Sequence, residues 1–298
     1  VVLELRSFHR YIKPPRLAAI WEDDDYLPGS RAEHYRDFDN AIEHLSSVLL
    51  NRLRPTLRMA LPKPPVSLAG FDAYVAESVE RLLQTQTIQI VGASGTGKSS
   101  LAAAIVHTNR FDDKFWFTIR PGFTDRVDSL LSTLGYFLYG LGMSGLWQQL
   151  AANGGFMEDV NLALGLIRSD LAELEQSAET AGKLPLLIFD DMEHLVIDND
   201  AHLEEHEYLR NLIQELSQLF PTIAVGQRTA IKADAYVELE GLAAPDIIHL
   251  LQAQSVTLTS DEIRALYSYT KGNPLLLSIC AAVLSSGVSY SELVPIVD

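Results

Sequence analysis

A chain of 298 residues, 47% hydrophobic and 21% charged, has a globular composition, and none of its apolar runs reaches the roughly 20 residues of a membrane span. Its single cysteine, Cys280, excludes an internal disulfide and is what a cytoplasmic protein is expected to show. The net charge of −16 is uneven: residues 1–65 hold 10 Lys/Arg against 9 Asp/Glu, so residues 66–298 hold 13 against 30, a surface that repels phosphate backbones and argues against nucleic acid as a partner.

Val1-Val-Leu-Glu-Leu5 has the composition of a strand, and Asp37 to Arg58 places Phe38, Ile42, Leu45, Leu49 and Leu53 on one helical face. The chain begins at Val1 without a Met and lacks the basic-then-apolar start of a signal peptide, so a piece of a longer protein is expected. Leu61-Pro-Lys-Pro-Pro-Val66 cannot be helical and reads as a stiff linker. It separates an N-terminal segment (residues 1–60) from an α/β core predicted over 67–242, with a helical lid over 243–298. In the core, a helix from about Asp72 to Leu83 precedes the alternating, β-branched run Thr87-Ile-Gln-Ile-Val91, which reads as a strand. Phe115-Trp-Phe-Thr-Ile119 is a second strand. Val127, Leu130, Leu131, Leu134, Phe137 and Leu138 then mark an amphipathic helix, broken by Gly140, Gly142 and Gly145. A further helix is predicted from Glu158 to Gln176. Leu184 to Phe189, apolar throughout, fits a central parallel strand buried on both faces. A helix over 205–220 leads to the strand Thr222–Val225, and Tyr236–Leu239 is a fifth short strand. Only helices follow, near 245–253, 260–269 and 274–285. The pattern predicts a doubly wound, mainly parallel five-stranded sheet of the three-layer P-loop NTPase type.

The chemistry lies at strand ends. Gly92-Ala93-Ser94-Gly95-Thr96-Gly97-Lys98-Ser99 fits G-x-x-x-x-G-K-[ST] between a predicted strand and a predicted helix that begins Ser99-Ser100. Backbone N–H groups and the helix N-terminus converge there on an anion. Lys98 is expected to reach the β- and γ-phosphates of ATP, and the Ser99 hydroxyl to ligate Mg²⁺. The apolar strand ending in Asp190-Asp191-Met-Glu193 supplies the acidic partner, with Asp190 serving Mg²⁺ and Asp191 or Glu193 orienting the attacking water. Arg228, just past the strand Ile223-Ala-Val-Gly226, is placed to contact the γ-phosphate and tell ATP from ADP. Lys271-Gly272-Asn273-Pro274 opens the last helix.

In this order, the phosphate loop, the Asp-Asp strand end, the Arg-bearing strand and the Gly-x-Pro helix start resemble the STAND class of signal-transduction ATPases, which includes the NB-ARC and NACHT proteins and parts of some large bacterial transcription activators. Leu68-Ala-Gly70-Phe71, Phe111-Asp-Asp-Lys-Phe-Trp-Phe117 and Leu239-Glu-Gly-Leu242 also resemble motifs of that class, over roughly residues 66–287. Two positions depart from it. Phe71-Asp72-Ala73 stands where Gly-Arg-Glu is usual, and Asp-Asp-Met-Glu replaces the Asp-Gly-x-Asp-Glu of NACHT members, which favours NB-ARC-like or bacterial branches. The resemblance implies an ATP/ADP switch with slow hydrolysis, Pro274 near the base, nucleotide-driven self-association, and effector and sensor domains elsewhere in the protein. An AAA-type loader or remodeller and an ADP-holding scaffold are the alternatives. Pro15-Arg-Leu-Ala-Ala-Ile-Trp21 and Tyr26-Leu-Pro-Gly29 resemble the last third of a TIR-like effector domain. His202-Leu-Glu-Glu205-His206 matches an inverted zincin pattern, but a solvated acidic helix start accounts for it.

Overall fold

The computed structural model describes residues 61–63, 70–108, 110–157, 159–176, 184–196, 203–290 and 292–293. The expected strand at 1–5, the helix over 37–58, the TIR-like tail, residues 64–66 of the linker and His202 lie outside the described residues. The chain divides into two units, Val1–Leu57 and Arg58–Asp298, and the description concerns the second.

Its elements run in this order: α1 (Asp72–Gln84), β1 (Thr87–Gly92), α2 (Lys98–Val106), β2 (Lys114–Thr118), α3 (Val127–Gly140), α4 (Gly145–Ala152), α5 (Val160–Gln176), β3 (Leu186–Asp190), a 3₁₀ turn (Met192–Leu195), α6 (Leu203–Ser217), β4 (Thr222–Gly226), β5 (Ala235–Leu239), α7 (Ala244–Ala253), α8 (Ser260–Thr270) and α9 (Pro274–Ser285). The five strands form one sheet in the order β2-β3-β4-β1-β5, and every pairing is parallel. Chain order reverses around β1. The carboxyl ends of β1, β3 and β4 therefore open onto one crevice, where α/β sheets bind ligands.

Period-two alternation sorts the strand residues between two cores. Phe115, Phe117, Ile119, Leu187 and Phe189 pack against α3 to α6. Ile88, Ile90, Trp116, Leu186, Ile188, Ile223, Val225 and Val237 face α2 and the helices after β5. Phe115 anchors the first core, with ring centroids 5.3 Å from Phe137 and 6.3 Å from Phe189. Each such fully buried side chain contributes about 1.5–3 kcal/mol of transfer free energy. Helix α4 was not expected from the three glycines around it. Its start is held from outside, because the Gly145 N–H donates to Asp170 Oδ2 (2.9 Å) on α5, and Leu146 and Leu150 are buried in the first core.

The helices after β5 are pinned to the sheet by a backbone crossing. Leu242 N–H, just beyond β5, donates to Gly272 O (2.7 Å), between α8 and α9. At Gly241 the two backbones approach so closely that a Cβ would lie 2.0 Å from Lys271 O. Neither chain can withdraw as a flexible side chain would. Gly241→Ala is therefore expected to cost about 2–4 kcal/mol through forced overpacking, lowering the melting temperature by roughly 5–10 °C for a domain of this size. A thermal melt of the variant checks this. Among the described residues no helix is long and apolar enough to cross a membrane. Cys280 is buried in α9, where burial pushes its thiol pKa up and leaves it a poor nucleophile.

Candidate functional site

The loop between β1 and α2 is shaped by glycines that no other residue replaces. Gly95 (φ +78) and Gly97 (φ +92) are left-handed, and a Cβ on either would collide, with Asn273 Oδ1 at 2.8 Å and with the Phe71 ring at 2.7 Å. Gly97 is also the N-cap of α2 and offers no side-chain cap, so the first turn of that helix is free to accept an anion. Within the loop, Ala93 O accepts from Thr96 Oγ1 and from Lys98 Nζ, each at 2.9 Å. Lys98 is thus folded back over the cradle and nearly buried. These are the features of a phosphate cradle.

β3 delivers Asp190 to the far wall. Its Oδ1 accepts from Ser99 Oγ (2.9 Å) and from the Asp191 N–H (3.0 Å). Burial pushes its pKa up to about 6, the neighbouring Asp191 charge adds to this, and the two hydrogen bonds oppose it. Two oxygen donors, one on α2 and one on β3, are a set that fits Mg²⁺. Asp191 is left-handed (φ 59), uncommon for a non-glycine residue and a form of strain that concentrates at functional sites. Burial and then Glu193 raise its pKa, while His194, Lys98 and Arg120 act in the other direction. Glu193 is held separately: its Oε1 accepts from Gln227 Nε2 (2.9 Å) and its Oε2 from the Gln227 N–H (3.2 Å).

The sequence-selected residues therefore converge unevenly. Gly95, Gly97, Lys98, Ser99, Ser100, Ser94, Asp191 and Pro274 all line one cleft of about 390 Å³, joined by Phe71, Glu193, Leu242, Leu250, Leu275 and Ser278. Asp190 sits behind it through Ser99. The Arg228 side chain is exposed and outside that lining; its carbonyl instead accepts from Gln89 Nε2 (3.0 Å). The residue that β4 delivers to the acidic group is Gln227, which sequence reasoning passed over. Asn273 was also missed. Its Oδ1 caps α9 by accepting from the Leu275 and Leu276 N–H groups (3.1 and 3.3 Å), and its Nδ2 donates to Ser94 O (2.8 Å). Leu275 N–H also reaches Gly95 O (3.2 Å). The start of α9 is hooked directly onto the glycine loop. No local pattern announces a hydrogen bond across 179 residues.

A larger hollow, about 560 Å³, opens among Leu82, Phe111, Leu171 and Pro221. It lies at the amino ends of the strands, away from the phosphate cradle. His206 of the H-x-x-E-H pattern is buried, its Nε2 3.4 Å from Asp125 Oδ2, and among the described residues no group of three or more His, Cys, Asp or Glu side chains could hold a metal.

A parallel five-stranded sheet, a glycine cradle at the end of the interior strand β1 and a carboxylate at the tip of β3 define a P-loop NTPase. Residues 68–267 match the family described as Novel STAND NTPase 1, and the chain belongs to that family. Among solved structures, the Walker-type ATPase of Pyrococcus abyssi is similar in fold (14% identity, 79% of this chain and 73% of that one, TM-score 0.52). A STAND protein with a tetratricopeptide repeat sensor from Pyrococcus horikoshii also matches (22% identity, 72% of this chain, TM-score 0.49), and the match spans 30% of that protein. The search of curated proteins found no match.

Proposed function

We propose that this chain is the nucleotide-dependent switch of a larger STAND-type protein, binding ATP or ADP with Mg²⁺, hydrolysing ATP slowly, and coupling nucleotide state to self-association and to effector and sensor domains. The observation that carries this reading is the hook of the lid on the phosphate loop through Asn273 and Leu275. Ser94, Pro274 and Leu275 line the same cleft as the phosphate loop, so nucleotide and the position of α9 are expected to influence each other. In this reading the backbone of Gly92 to Ser100 and the Lys98 ammonium hold phosphates, and Ser99 and Asp190 hold Mg²⁺. When bound, Mg²⁺ would offset the negative charge on the phosphate oxygens. Asp191, with its raised pKa, is a stronger base than an ordinary carboxylate and is suited to orient or deprotonate the attacking water. Phe71, Leu242, Leu250 and Pro274 form the apolar end of the cleft that suits the base.

The first test is to denature the purified chain and identify the released nucleotide by ion exchange. Stoichiometric ADP is the expected result. An empty site with fast turnover would favour an AAA-type remodeller, and ADP that never exchanges would favour a scaffold. Failure to bind any nucleotide would overturn the reading.

The hook can be tested by itself. Asn273→Asp keeps the Oδ1 cap of α9 but removes the donor to Ser94 O and faces that carbonyl with a carboxylate. Dissociation of a fluorescent ADP analogue is expected to speed up about 5- to 20-fold, as the loss of one hydrogen bond plus some repulsion implies. An unchanged rate would mean that the lid does not gate the nucleotide.

A further inference from the structure

The tip of β2 carries a cation that the sequence reading did not use. Register pairs Thr118 with Asp190, and the ladder runs one step further, with Ile119 N–H donating to Asp190 O (2.9 Å). Extended by that step, the register sets Ile119 opposite Asp191 and Arg120 one residue beyond, past the strand ends. The pleat sets its direction. Phe115, Phe117 and Ile119 point into the α3 side of the sheet, and Trp116 into the α2 side. Arg120 shares the parity of Trp116, so it leaves on the face that holds the phosphate loop and Asp190.

The loop that carries Arg120 is tied to itself. Thr124 Oγ1 accepts from the Arg120 N–H (2.8 Å) and donates to Thr118 O (2.6 Å). Arg120 O accepts from the N–H groups of Phe123 and Thr124 (3.0 and 2.9 Å). Gly122 N–H donates to Asp125 Oδ2 (2.7 Å), and Thr124 and Asp125 are buried. So rigid a base for an exposed arginine needs a use. Among the described residues its guanidinium makes no ion pair within 4.0 Å, whereas Arg126 in the same loop is bridged to Asp128 and Glu205. Arg120 does not line the cleft itself, and among the charges that lower the Asp191 pKa it comes after His194 and Lys98.

Charge balance at the cleft completes the case. Lys98 is the one basic side chain among the described residues lining it, against Asp191 and Glu193, with Asp190 just behind. A terminal phosphoryl group adds further negative charge beside these carboxylates, and beyond Mg²⁺ a second cationic side chain would stabilise it. We propose that Arg120 engages the terminal phosphate of a bound nucleoside triphosphate, and so is the residue that distinguishes triphosphate from diphosphate. A planar guanidinium makes paired, charge-assisted hydrogen bonds to phosphate oxygens. This inference rests on the nucleotide-switch reading above.

The experiment is calorimetric titration of the full chain with Mg-ADP and with Mg-AMP-PNP, a triphosphate analogue that is not hydrolysed. Arg120→Ala is expected to leave ADP affinity within about twofold and to weaken AMP-PNP binding 10- to 100-fold, with Arg120→Lys between the two. Arg126→Ala, from the same loop, controls for the loss of a positive charge and is expected to alter neither affinity. Equal losses for both nucleotides, or no loss for either, would overturn the assignment. So would a selective loss in Arg228→Ala with none in Arg120→Ala. If the wild-type chain bound neither nucleotide, the switch reading itself would fail, and this inference with it.

Discussion

Lys98→Ala is expected to weaken nucleotide binding severely while leaving the fold intact. Lys98 Nζ donates to Ala93 O, but that carbonyl also accepts from Thr96 Oγ1 (2.9 Å) and the Thr96 N–H (3.4 Å), so the cradle keeps its internal bonds without it. What the substitution removes is the positive charge facing the phosphates in a cleft that also holds Asp191 and Glu193. A unit charge pair about 4 Å apart at a protein surface is worth roughly 4 kcal/mol, so affinity should fall by two to three orders of magnitude. The field of the rest of the protein deepens the loss, because the chain carries a net charge of −16 and attracts no anion by itself. Titration with ADP and a thermal melt of the same sample check both halves. A variant that melts with the wild type and has lost binding supports the cradle. One that binds normally would mean that the nucleotide sits elsewhere.

Where the sequence was legible, the cause was local. β1, the glycine loop and the start of α2 follow from a period-two run, a spacing of glycines and a change to helical composition within twenty residues. β3 was legible as a continuous apolar run because both of its faces are covered. The parallel sheet then followed from the alternation of elements. Its failures share a cause as well. Helix α4 depends on a carboxylate 25 residues away at Asp170, and glycine-rich composition argued against it. Gln227 meets Glu193 across 34 residues and Asn273 meets Ser94 across 179, so neither contact leaves a local trace. An arginine is the more conspicuous residue at a strand tip, whereas the backbone turn after Gly226 is what sets Gln227 against Glu193.

Asp190→Asn is expected to have two effects of opposite sign. The wild-type carboxylate is 6% exposed, beside Asp191 and Glu193, and its pKa rises from 3.8 to about 6. The unfolded chain gives up this proton near pH 4, and the native chain holds it to about pH 6. Between those values the native state binds more protons, so stability of the metal-free protein falls as pH rises. Two pKa units correspond to ~3 kcal/mol, fully expressed above pH 6 and absent below about pH 4. Asparagine keeps an acceptor for Ser99 Oγ and the Asp191 N–H but carries no charge. The variant should therefore melt several degrees above wild type at pH 8 in EDTA, and the two should converge near pH 4. Its Mg²⁺-dependent ATP hydrolysis should fall at least about 100-fold, since an anionic oxygen ligand has been lost. A buried charge that costs stability and persists in the fold is the pattern of a group held for its chemistry. A variant that melts below wild type at pH 8, or a difference that does not change with pH, would mean that Asp190 is instead a structural hydrogen-bond acceptor whose charge the site tolerates freely.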